Sequence, residues 1–66
     1  MTPIDDKRPF AQVLADWKQR RGLTYEGLAE ATGRSRATLA RALAGDDIAY
    51  ERDLRALMTL IDEGRA

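Results

Sequence analysis

Six of the eleven basic side chains in this 66-residue chain fall between residues 18 and 41: Lys18, Arg20, Arg21, Arg34, Arg36 and Arg41. Only Glu26 and Glu30 oppose them, so the segment sums to +4. Residues 1–17 carry two basic and three acidic groups, net −1, and residues 42–66 carry three and six, net −3. The chain is neutral overall but polarised along its length. Phosphate neutralisation is local, so a basic centre between acidic ends suits contact with a polyanion whatever the total charge. A merely solvated charged surface is the competing explanation.

Other chemistry is poorly supplied. Without histidine or cysteine the chain lacks the commonest general base and the strongest thiol nucleophile. The acidic pairs Asp5/Asp6, Asp46/Asp47 and Asp62/Glu63 are neighbours in sequence, and adjacent acids on a helix or strand diverge instead of converging. No glycine-rich phosphate loop or metal-ligand spacing is present. The expectation is a protein that is not an enzyme and needs no cofactor and no metal. With no cysteine, no apolar leader and no long apolar run, the sequence also predicts a cytoplasmic protein without a membrane partner.

Residues 1–8, with Pro3 and only Ile4 as an apolar anchor, read as a flexible N-terminal arm. The remainder, 9–66, is one domain, because a chain near this length hides only about 60% of its unfolded surface and cannot divide its core. Pro9 suits a first helical position, and Phe10, Val13, Leu14 and Trp17 then recur on one helical face. Gly22 closes this first helix after Lys18, Arg20 and Arg21, cations placed at the negative end of its dipole.

Thr24 is a suitable N-cap for a second, short helix, with Leu23 positioned to pack on Leu28; Leu28, Ala29 and Ala31 form its expected buried side, and Gly33 ends it. Ser35 caps a third helix with Leu39 and Leu43 inward and Arg36, Ala37, Thr38 and Arg41 outward, stopped at Gly45. A fourth helix is expected over 49–63, with Asp46/Asp47 near its start and Tyr50, Leu54, Leu57, Met58 and Ile61 on the packing face. Two short helices around a glycine-containing turn, the second with outward Arg and Thr near its start, make a helix-turn-helix. A three-helix bundle with a basic helix facing water is the bland alternative.

The segment GLTYEGLAEATGRSRATLARALAG, Gly22 to Gly45, resembles the helix-turn-helix of the Cro and phage-repressor (XRE-type) family. The resemblance rests on Gly22-Leu23-Thr24, Leu28-Ala29, Gly33, Ser35-Arg36 and Leu39, and with the first helix it covers most of the chain from Leu14 to Gly45. It implies an all-α, lambda-repressor-like domain of four to five helices that binds double-stranded DNA and regulates transcription. It places Arg36, Ala37 and Arg41 at base edges in the major groove, with Thr38 beside them. Thr24 and Ser35 would lie near phosphates, and Tyr25 stands where the family usually has a phosphate-contacting Gln. Lys18, Arg21 and Arg34, in the basic middle, complete the expected phosphate contacts.

The chain departs from the family pattern at Arg34, usually small or aliphatic, at Ala42, usually larger, and at Leu43, where many members carry a Glu that pairs with a base on the first helix. The stretch SRATLARALAGD also resembles the matching part of antitoxins. A protein-interaction module that binds a toxin or another protein is therefore the rival to a small repressor, and an acidic last helix could touch RNA polymerase. Ala49, Ala56 and Leu60 widen the apolar arc of the last helix beyond one packing surface. With Leu57 they form the expected interface of a homodimer, the remaining aid for so small a core without disulfide or metal.

Overall fold

The computed structural model describes residues 2–65. Among these the chain forms four helices and no strand: α1 (Phe10–Arg20), α2 (Tyr25–Thr32), α3 (Arg36–Leu43) and α4 (Glu51–Asp62). The apolar period of α1 turns Phe10, Val13, Leu14 and Trp17 inward, where Leu28 of α2, Leu39 and Ala42 of α3, and Leu54 and Met58 of α4 meet them. Trp17, Leu14, Leu28, Leu39, Leu54 and Met58 are fully removed from water. At about 25 cal/mol per Å² of apolar surface, this single cluster is the main source of stability.

The helix ends follow their local chemistry, with three shifts from expectation. Pro9 is the N-cap of α1 and not its first residue, because its ψ of 140° is still extended. In α2 the residue turned inward beside Leu28 is Thr32, while Ala31 is exposed. Burying a hydroxyl costs little here because Thr32 Oγ1 donates to Leu28 O, one turn back, at 2.8 Å. In α3, Ala42 is fully buried alongside Leu39, and Leu43 is half-buried against the core.

The start of α4 differs most. Tyr50, expected on the packing face, is 75% exposed and holds φ 62°, a left-handed conformation that costs an L-residue roughly 1–2 kcal/mol. Ala49 lies in the turn before the helix, not on it. The inward apolar contact comes instead from Ile48, so the chain must reverse through Tyr50 before α4 begins. Glu51 and Asp53, not Asp46 and Asp47, supply the negative charge in its first turn.

Residues ahead of α1 lie against α4. Arg55 Nη1 donates to Pro3 O and Asp6 O, both at 2.9 Å, its Nε to Glu51 at 3.1 Å, and its guanidinium covers the Phe10 ring at 4.9 Å. Ile4 N–H donates to Thr59 Oγ1 at 3.1 Å, and Pro3 is buried. The Arg8 side chain and N–H both donate to the Asp6 carboxylate, which lowers its pKa from 3.8 to about 2. A planar guanidinium presenting several donors in one plane can gather these carbonyls where a lysine could not.

Arg55→Ala leaves those carbonyls without their donor and is expected to lower the unfolding free energy by about 2–3 kcal/mol. Urea unfolding followed by Trp17 fluorescence measures the loss, and faster hydrogen exchange at the Ile4 amide locates it.

Candidate nucleic-acid interface

The segment joining α2 to α3 is set by its own hydrogen bonds. Thr24 Oγ1 accepts from Gly27 N–H at 3.0 Å and starts α2. Gly33 ends it at φ 67°, a conformation open to glycine at no steric cost, and its N–H donates to Ala29 O at 2.8 Å. Ser35 Oγ accepts from Thr38 N–H at 3.2 Å and donates to Thr38 Oγ1 at 2.9 Å, which starts α3 at Arg36, three residues after Gly33. Leu28 and Leu39, both fully buried, then fix the two helices against Trp17 and each other. The result is a helix, a tight turn and a second helix, with one side of α3 left to solvent.

That side carries Arg36, Ala37 and Arg41, three of the four residues expected to meet base edges. Arg36 approaches Glu26 only at 4.0 Å, and both side chains are largely exposed, an arrangement that contributes little and leaves the guanidinium able to reorient. Arg41 makes no ion pair among the described residues. The fourth, Thr38, is half-buried with its hydroxyl turned to Ser35. Ala40 is exposed on the same face as Ala37 and was missed in the sequence, although its spacing of three from Ala37 and four from Arg36 contains the signal.

The residues expected at phosphates separate into distinct groups. Lys18 lies with its ammonium 5.3 Å from the centre of the Tyr25 ring, beside Leu23 and Leu43, in an open cleft of about 560 Å³. With Leu43 in place of an acid, the electron-rich face of Tyr25 is the partner that Lys18 finds. Tyr25 is 46% exposed at the first position of α2, and Thr24 adjoins it. Arg34, half-buried in the turn, points Nη1 back to Thr32 O at 3.4 Å, next to Ser35.

Arg21 stands apart from all of these. Its Nη1 pairs with Asp62 Oδ1 at 3.0 Å while its guanidinium covers the Trp17 ring at 5.2 Å, so its charge is matched at the far end of α4. Arg20 is similarly turned toward Asp16, at 3.7 Å. Of the cations in the basic segment, only Arg21 has a carboxylate within hydrogen-bonding distance among the described residues; Arg20 and Arg36 have one at 3.7 and 4.0 Å, and Lys18, Arg34 and Arg41 make no ion pair. A surface of exposed cations around a protruding helix end can neutralise phosphates and offer guanidinium donors to base edges.

The family described as helix-turn-helix domain matches residues 9–66 of the chain. No curated protein and no solved structure matches it. Among the described residues no helix is long and apolar enough to cross a membrane.

Ser35→Ala removes both the cap of α3 and the partner of the Thr38 hydroxyl. The expected cost is about 1 kcal/mol of stability, read as a shift of the urea midpoint with an unchanged slope.

Proposed function

The chain belongs to the XRE-like family of helix-turn-helix DNA-binding domains, and on that premise we propose that it is a sequence-specific transcriptional regulator, a small repressor of duplex DNA. The observation that carries this reading is α3 itself. It is held by Ser35 at its start and Leu39 beneath it, with Arg36 and Arg41 exposed and free of strong ion pairs. In this mechanism α3 enters the major groove, Arg36 and Arg41 read base edges, and Lys18, Tyr25, Thr24, Arg34 and Ser35 hold the flanking phosphates. Occupancy of an operator near a promoter then excludes polymerase, in the cytoplasm and without a cofactor.

A homodimer on a palindromic site completes the mechanism. Leu60 is 38% exposed on α4 beside half-buried Ala56 and Leu57. Pairing this strip with its symmetry mate would bury it and set two copies of α3 about one turn of DNA apart, roughly 34 Å. Ala49, also expected at this interface, is exposed in the turn before α4 and off the helical strip.

Selection from a random duplex library supplies the site and tests the reading: a palindrome should emerge, and no enriched sequence would overturn it. On that site Arg36→Ala should weaken binding by about 1–3 kcal/mol and relax preference at one base pair of each half-site. By contrast, Lys18→Met should weaken all sequences alike and reduce the slope of log affinity against log salt by roughly one. Leu60→Glu places like charges across the proposed two-fold contact. Sedimentation should show helical monomers that bind the palindrome far more weakly, whereas a wild-type protein that is monomeric at its DNA-binding concentration would remove the dimer.

A further inference from the structure

The two exposed arginines of α3 are five residues apart, and at about 3.6 residues per turn they fall on opposite flanks of its solvent face. Between them that face carries only methyl groups, those of Ala37 and Ala40, with Ala44 following at the helix end. Thr38, half-buried at the edge of this face, has its hydroxyl hydrogen-bonded to that of Ser35. The centre of the proposed reading surface therefore holds no side-chain donor or acceptor. Arg36 and Arg41 at its edges can each offer a bidentate guanidinium to guanine.

Base pairs seen from the major groove differ in their donors and acceptors and in one apolar feature, the thymine 5-methyl group. A surface without polar side chains cannot distinguish the former but can distinguish the latter. Resting on the DNA reading above, we propose that Ala37 and Ala40 are specificity-determining residues that recognise thymine through its 5-methyl group. Each half-site then has thymines at its centre, bracketed by guanines read by Arg36 and Arg41. The short side chains also let the α3 backbone lie closer to the base edges than any longer residue would, bringing the alanine methyls within van der Waals reach.

The test changes the DNA and leaves the protein intact, so folding of a variant does not enter. Equilibrium binding of the full chain is measured on duplexes carrying the selected site, with each central thymine replaced in turn by deoxyuridine, or each T·A pair by 5-methylcytosine·guanine. Loss of a contacted methyl should weaken binding roughly three- to fourfold, which is the burial of one methyl group at about 0.8 kcal/mol. The 5-methylcytosine duplex keeps the methyl and should retain most of the affinity. Uracil duplexes that bind as well as thymine duplexes, while Arg36→Ala still relaxes preference at its own base pair, would overturn the methyl contact and leave the DNA reading standing. A selected half-site without central thymines would do the same. Equal binding to every duplex would overturn both.

Discussion

Trp17 is the largest side chain fully withdrawn from solvent, and its indole N–H must find an acceptor in an otherwise apolar interior. Asp62 provides it at 2.8 Å, from the last turn of α4. The same carboxylate oxygen receives Arg21 at 3.0 Å, whose guanidinium lies over the indole. One buried aromatic thus ties the end of α1 to the end of α4, within the cluster that also takes Leu28 of α2 and Leu39 of α3. In a chain this short no second core exists to compensate if that contact is lost.

The same constraint sorts the cations. Arg8, Arg21 and Arg55 are held by carboxylates or backbone carbonyls and serve the folded state, while Arg20 makes only a loose, exposed pair with Asp16. Lys18 and Arg34 have only a ring face and a distant carbonyl, and Arg36 and Arg41 project from α3 into solvent. Zero net charge and a cationic α3 coexist because most of the acids lie elsewhere, among them Asp6 and Asp16 near the start of the chain and Glu51 and Asp62 on α4, while Glu26 and Glu30 of α2 stay beside Arg36. Over a Debye length of about 8–10 Å, that partition matters more than the total.

Glycine and tyrosine show how differently one backbone conformation can be reached. Gly33 takes the left-handed region at the α2–α3 turn without a side chain to resist it, and the turn is correspondingly tight. Tyr50 takes it before α4 against a steric cost, because Ile48 is drawn to the core while Leu54 must also reach it, and the chain between them has to reverse. The tyrosine ring is left in solvent as a consequence.

Local features were legible in the sequence. Apolar residues at helical spacing identified Phe10, Val13, Leu14 and Trp17 as one buried face, Thr24 and Ser35 announced the starts of α2 and α3, and Gly33 marked the turn between them, because capping and periodicity act over three or four residues. Arg36, Ala37 and Arg41 follow from the same period. Contacts between residues far apart in the chain emerge only when the helices pack, because sequence spacing carries no information about them. Arg21 meets Asp62, forty-one residues away, at the rim of the core. Arg55 gathers the carbonyls of residues 3, 6 and 8, and Ile48, not Tyr50, packs against the core. Each outcome is a competition for one buried position or one hydrogen-bond partner, and such competitions are resolved only when the helices pack.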